Sequence, residues 1–291
     1  MLDYEAVKSR DFGQIVHTYS KRDTMLYALG IGMGGDPLDP GQLRFVFEKD
    51  LHAVPTMAAV LGSPGFWWND PKTGADWVKL VHGEQHIRLY RPLPPEGTLV
   101  ARNRVVSLTD KGVGKGAIAV IRRELFEQGT AEPLAQSTQV AFLRGDGGFS
   151  ERSGLSDPGP EALPAVPERA PDLEVELGSL PQAALIYRLS GDYNVLHADP
   201  KVAQAAGFPR PILHGLCTFG MAAHAVLRSC CEYDAARIRS LSVRFTSPVY
   251  PGETIRFQLW KDGQARLQLR AKVQARDVTV LNNGLVELAA W

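Results

Sequence analysis

The chain has 291 residues, 44% hydrophobic and 22% charged, a composition that can build a sizeable core without disulfide or metal staples. Its 32 Lys and Arg balance 32 Asp and Glu, which argues against a bulk electrostatic partner such as nucleic acid or an anionic membrane and leaves only a local basic patch for phosphates open. The three cysteines, Cys217, Cys230 and Cys231, show no Cys-x-x-Cys or Cys/His ligand spacing, which argues against a disulfide framework or structural zinc and for a reducing compartment.

The N-terminal residues carry scattered charges and no apolar core segment, so they do not read as a secretory signal. No apolar run reaches bilayer-spanning length. The C-terminal Leu288-Ala289-Ala290-Trp291 is not a peroxisomal address, and a cytoplasmic location is expected. Trp67-Trp68 either lines a cavity or packs over a loop edge. His82-Gly83-Glu84-Gln85-His86 misses the His-Glu-x-x-His spacing because Glu84 sits one place late. On a strand its three titratable residues would share a face, yet a repeat remnant explains them better than a metal site. Residues 98–108 and 116–127 read as strands, and Gly112-Val113-Gly114-Lys115-Gly116 between them as a hairpin turn rather than a phosphate loop.

From about Gly145 to Leu180 the composition shifts to Gly, Pro and Ser without regular apolar period, which predicts a surface linker. The chain thus divides into residues 1–145, a linker 146–180 and residues 181–291. The halves resemble each other. A strand, a Pro turn and a second strand occupy 86–100 in one and 242–255 in the other. Val81-His82-Gly83 echoes Leu213-His214-Gly215, and Asp23 stands near the place of Asp192.

In the second half, Asp199-Pro200 is a helix start and Gly207 a stop. Ser190 to His197 is therefore an irregular loop that concentrates Asp192, Asn194 and His197. Such a loop can turn a carboxylate and an imidazole toward one point, where the pair can hold a water and exchange a proton with it. A long helix follows Gly215, with Leu216, Phe219, Ala223, Val226 and Leu227 on one side. The Gly215 N–H at its start is a free donor with the helix dipole behind it, suited to a developing thioester enolate. His214 reads as structural, and Cys217 as core. Leu241, Val243 and Phe245, then Ile255, Phe257 and Leu259, alternate as antiparallel strands do. Asn282-Asn283-Gly284 looks like a hairpin turn.

The motif Ser190-Gly191-Asp192-x-Asn194-x-Leu196-His197, followed by Gly207-Phe208-x-x-Pro211-Ile212-Leu213-His214-Gly215-Leu216, resembles the R-specific enoyl-CoA hydratases of the MaoC-like, hydratase 2 family. Tyr19 to Gly30 and Leu80 to Gln85 resemble that family's degenerate N-terminal repeat, so the likeness covers nearly the whole chain. It departs at Val195, where the family usually has Pro. The resemblance implies an α+β double hot-dog: two repeats, each a curved antiparallel sheet wrapped around a central helix. It implies Asp192 and His197 as the acid/base pair, Asn194 as the orienting residue and Gly215 as the oxyanion donor. It also implies an acyl-CoA thioester substrate, reversible hydration of trans-2-enoyl-CoA to (R)-3-hydroxyacyl-CoA, a first half (1–145) that makes room for the acyl chain, and no metal or redox cofactor; one site per chain is expected because no Asn or His follows Asp23 at the spacing seen after Asp192. A dehydratase of a branched, dicarboxylic or steroid-linked acyl-CoA, a hot-dog acyl-CoA thioesterase and a non-catalytic acyl-CoA binder are the alternatives. A monomer and a homodimer are both compatible with the sequence.

Overall fold

In the computed structural model, which describes residues 2–289, ten strands form one antiparallel sheet. Ala290 and Trp291, part of the C-terminal sequence read above as no peroxisomal address, lie outside the described residues. The strands are β1 (Gln14–Tyr19), β2 (Leu80–Leu89), β3 (Gly97–Asp110), β4 (Ala117–Glu127) and β5 (Pro133–Leu143), then β6 (Leu173–Gly178), β7 (Ile238–Phe245), β8 (Thr254–Lys261), β9 (Arg266–Val273) and β10 (Val278–Leu288). Their spatial order is β1-β3-β4-β5-β2-β7-β10-β9-β8-β6. Read from either edge to the centre, both halves follow one order, so the repeat seen in the sequence is a repeat of topology. Each half is a hot-dog unit, and β2 pairs with β7 to fuse them.

Four helices matter for the site: α1 (Lys21–Gly30), α2 (Ala183–Tyr187), α3 (Pro200–Ala205) and α4 (Gly215–Cys230). Every residue of α4 from Cys217 to Leu227 is buried, as expected of a helix that is apolar nearly all round. It packs against β6, β7 and β2 and against the turn Pro55–Ala59. That turn occupies the corresponding place in the first half, where the central helix is reduced to five residues of 3-10 geometry. Pro at its start and the tight i,i+3 geometry keep it short. Arg123 on β4 closes its end by donating from Nη1 to the carbonyls of Ala59 and Leu61, both at 2.9 Å.

Several expectations are corrected. The predicted linker ends early: Leu173–Gly178 is edge strand β6, paired with β8, although the residues lie within 146–180. Asn282-Asn283-Gly284 is not a hairpin turn but a bulge inside the continuous β10. Asn283 adopts φ +53° there and donates from Nδ2 to the linker carbonyls of Leu163 and Pro164. Gly284 is needed because a Cβ would lie 2.6 Å from the Leu269 carbonyl oxygen. Val81-His82-Gly83 is not the counterpart of Leu213-His214-Gly215, since the former lies on β2 and the latter opens α4. Asp23 is no counterpart of Asp192 either. Its Oδ2 accepts from the Ser20 backbone N–H at 2.9 Å and hydroxyl at 2.7 Å at the start of α1. Trp67 and Trp68 stack at 4.0 Å in a satellite core with Leu2, Val7 and Phe149.

The seam is pinned by charge as well as by backbone. Glu84 on β2 sits opposite Arg244 on β7. Its Oε1 accepts from Arg244 Nε at 2.9 Å and Nη2 at 2.7 Å, and its Oε2 lies 3.3 Å from His86 Nε2. Burial pushes the Glu84 carboxyl up, but the bonds from His86 and Arg244 outweigh it and hold the group below its usual range. Two of the three residues that could have held a metal, Glu84 and His86, are therefore engaged in the seam, and a register shift at Gly83 separates His82 from them. Replacing Glu84 by Gln is expected to cost about 1–3 kcal/mol by leaving the guanidinium short of its charged acceptor. An unchanged urea midpoint would show that the seam is held by the backbone ladder alone.

Candidate active site

The loop after α2 is shaped by its own polar residues. Gly191 takes φ +113° after the turn Arg188–Ser190, a conformation L side chains rarely adopt, and reverses the chain. The Asn194 N–H donates to Asp192 Oδ1 at 3.2 Å, and Asn194 Oδ1 accepts from the Leu196 N–H at 3.0 Å. Asn194 thus starts the one-turn 3-10 helix Val195–His197 and ties it back to Asp192. Asp199 and Pro200 then open α3, with Asp199 Oδ1 accepting from the Lys201 N–H at 2.8 Å. With Asn194 fixing the turn from one side and Asp199 from the other, the loop holds its shape with Val at 195.

These turns bring Asp192 and His197 together, and His214 joins them. The ligand-type atoms of the three lie within 4.8 Å of one another. His197 Nδ1 lies 2.8 Å from the Ile212 carbonyl oxygen. Since a carbonyl only accepts, Nδ1 carries the proton, and the lone pair of the neutral ring is on Nε2. His214 Nε2 donates in the same way to the Asp192 backbone carbonyl at 3.1 Å. The two imidazoles stack at 3.7 Å with an interplanar angle of 28°. With one nitrogen of each ring committed to a backbone carbonyl, each imidazole keeps a single lone pair for a water or a substrate atom. His214 thus does more than precede a helix: it fixes the Asp192 backbone and roofs His197.

Burial sets the protonation states. It lowers His197, against the upward pull of the Ile212 carbonyl and the Asp192 charge, so the ring is neutral near pH 7. Burial and the neighbouring His197 push His214 down to about 4. Burial raises the Cys217 thiol, whose Sγ lies 3.3 Å from the Gly30 carbonyl oxygen, so this cysteine is an inert core residue.

Gly215 is the first residue of α4, where a backbone N–H has no acceptor within the helix. A Cβ there would stand 3.1 Å from Phe245 Cε1, so the ring of Phe245 packs directly on the glycine. Phe245 in turn meets the His82 ring edge-on, at 4.9 Å between centroids. His82 belongs to β2 of the first half, next to a bulge at Gly83. Its pKa falls to about 4, chiefly through burial, and the Asp192 charge reaches it from the other half. The sequence reading missed His82 and Phe245 as parts of this site. The His-Gly pair was the available signal, because a glycine inside a strand marks a bulge that re-aims its neighbour.

Residues 17–145 match the MFE-2 hydratase 2 N-terminal domain, and residues 163–283 match the MaoC like domain. The chain is 40% identical over 284 residues to an enoyl-CoA hydratase 2, peroxisomal, of Arabidopsis thaliana, covering 91% of this chain and 89% of that one. It is 40% identical over 281 residues to a 3-hydroxyacyl-thioester dehydratase Y of Mycobacterium tuberculosis, covering 94% and 93% respectively. The crystal structure of a MaoC-like dehydratase from Phytophthora capsici superposes with a TM-score of 0.85 at 33% identity, over 99% of both chains.

The buried histidines make stability depend on pH. His214 and His224, 1% and 2% exposed, both titrate near 4 in the folded chain because burial disfavours the cation. An unfolded histidine titrates near 6.5, so the unfolded state takes up protons first as pH falls. The stability these groups contribute is complete above about pH 6.5 and is lost progressively toward pH 4, at roughly 2 kcal/mol per histidine by pH 5. Urea unfolding at pH 7.5 and pH 5 should therefore differ, and His224→Leu should flatten the dependence. A slope unaltered by that substitution would remove His224 from the account.

Proposed function

The chain belongs to the MaoC-like dehydratases whose first half is a hydratase 2 N-terminal domain, and from that membership we propose that it is a hydro-lyase interconverting trans-2-enoyl-CoA and (R)-3-hydroxyacyl-CoA. The observation that carries the reading is that His197, its Nδ1 proton held by the Ile212 carbonyl and its Nε2 lone pair free, clusters with Asp192 and with His214, the residue just before the helix start at Gly215.

In this mechanism a water sits between His197 Nε2 and the Asp192 carboxylate. The pair takes one proton from it, and the water oxygen forms the new bond to C3 of the enoyl thioester. The C2–C3 π electrons move toward the thioester, and its oxygen accepts a hydrogen bond from the Gly215 N–H, with the dipole of α4 behind it. The proton taken from water is then delivered to C2. The pair returns to its starting state, and H and OH have been added across the double bond. Dehydration runs through the same groups in reverse. Asn194 positions Asp192 through its backbone N–H rather than by touching the substrate.

Both halves contribute to one site. His82 and Phe245 back the oxyanion donor, and the first half has only the short turn Pro55–Ala59 where the second has its long central helix. The acyl chain is assigned to that side. Among the described residues no helix is long and apolar enough to cross a membrane. The three cysteines are free thiols, which accords with a reducing interior such as a cytoplasm.

Asp192→Asn and His197→Gln should each lower kcat by about 10²–10⁴-fold, the usual contribution of a positioned acid or base. The assay follows loss of enoyl conjugation and release of free thiol together, across acyl chain lengths. Thiol release would make the protein a thioesterase. Undiminished hydration in both folded variants would move the chemistry away from this pair.

A further inference from the structure

The substrate proposed above carries its phosphates far from the reacting carbons, at the other end of the pantetheine arm. A group that recognises them belongs at the rim of the site, on an element whose position relative to His197 is fixed. Arg210 meets both conditions. It is exposed, and it lies two residues before Ile212, whose carbonyl holds His197, and five before Gly215. The same loop is bonded to the second half's strand-turn by the Leu213 N–H, which donates to the Val249 carbonyl at 2.7 Å. Two residues of backbone span at most about 7 Å, so the guanidinium stays near the rim of the pocket that holds His197.

The side chain is held without being neutralised. The Arg210 guanidinium lies over the Tyr250 ring, 5.1 Å from its centroid. The nearest acid it senses is Glu253, which is already occupied. Arg276 Nε donates to Glu253 Oε1 at 2.6 Å and Arg276 Nη2 to Oε2 at 2.9 Å, while the Tyr250 N–H donates to Oε2 at 2.8 Å. Arg276 also stacks on Tyr250, at 5.2 Å, and steadies the ring. Among the described residues Arg210 therefore makes no hydrogen bond or ion pair. Stacking uses the face of a guanidinium and leaves its N–H donors in the plane, pointing outward, in the fork geometry that matches a phosphate. Arg188 is less suited. It stacks on Tyr193 at 5.0 Å, and its charge reaches His197 and His214, where the thioester rather than the phosphates would lie.

We propose that Arg210, held over the Tyr250 ring, is the subsite for the phosphates of the substrate's coenzyme A, a proposal that rests on the acyl-CoA reading of the site. The rest of the molecule is electrically balanced, so the attraction is local and salt-sensitive.

The test uses the full chain and two readouts. Calorimetry measures binding of coenzyme A and of its fragment 3′,5′-ADP to the wild type, Arg210→Gln and Tyr250→Leu. Kinetics compare one enoyl group carried on coenzyme A and on pantetheine, which lacks the nucleotide phosphates. Arg210→Gln should weaken both nucleotides about tenfold, the loss of one charge-assisted hydrogen bond. It should raise KM for the CoA ester by the same factor with kcat retained, and so shrink the preference for CoA over pantetheine. Tyr250→Leu should give a smaller loss in the same direction, and added salt should narrow the wild-type preference. Unaltered nucleotide binding in Arg210→Gln overturns the proposal, as does an equal loss toward both thioesters. Nucleotide binding that needs Arg210 in a protein that hydrates no enoyl thioester would keep this subsite and overturn the hydratase reading instead.

Discussion

The pairing of β2 with β7 is the constraint on which the rest of this molecule depends. It turns two five-stranded hot-dog units into one ten-stranded sheet and removes two edges that would otherwise be open. It sets the first half over α4, which is too apolar to face water on any side. It also fixes where His82 lands. Shifting that register by one residue would turn His82 away from Phe245 and separate Glu84 from Arg244 at the same time, because side chains alternate with period two.

Within that frame the reactive groups are held largely by backbone. The Ile212 carbonyl selects the tautomer of His197, the Asp192 carbonyl anchors His214, and the Asn194 N–H meets the Asp192 carboxylate. Backbone partners have no rotamers to lose, so the arrangement is organised before substrate arrives. Burial supplies the remaining element by keeping both imidazoles neutral, and a neutral His197 can accept a proton. The glycine at the mouth of α4 serves two ends at once, leaving room for Phe245 on one side and an unshared N–H on the other.

The two halves have diverged in what their interiors contain. The second keeps a sixteen-residue central helix whose N-terminus faces the site. The first retains only Pro55–Ala59, closed by the half-buried Arg123, for which the carbonyls of Ala59 and Leu61 stand in place of a carboxylate.

Much of this was written locally in the chain. The repeat was legible because turn residues and alternating strands recur in the same order, and the Asp192 loop because caps and breakers declare themselves in short stretches: Asn194, Asp199-Pro200, Gly207. Local signals also misled where one residue pattern serves two structures. Asn282-Asn283-Gly284 satisfies a hairpin turn and a bulge equally well, and only the partner strands and the linker carbonyls decide between them. An edge strand such as β6, flanked by Pro-rich loop, cannot be told from linker until β8 is beside it. The sequence by itself determined the loop that gathers Asp192 and His197 and the helix that opens at Gly215, since each is marked by neighbours within a few residues. Tertiary structure alone decided that His214 stacks on His197, that His82 reaches the site from the other half, and that Arg210 rests on Tyr250. Those contacts join residues 17 to 163 positions apart, and no local preference encodes which distant side chain will arrive.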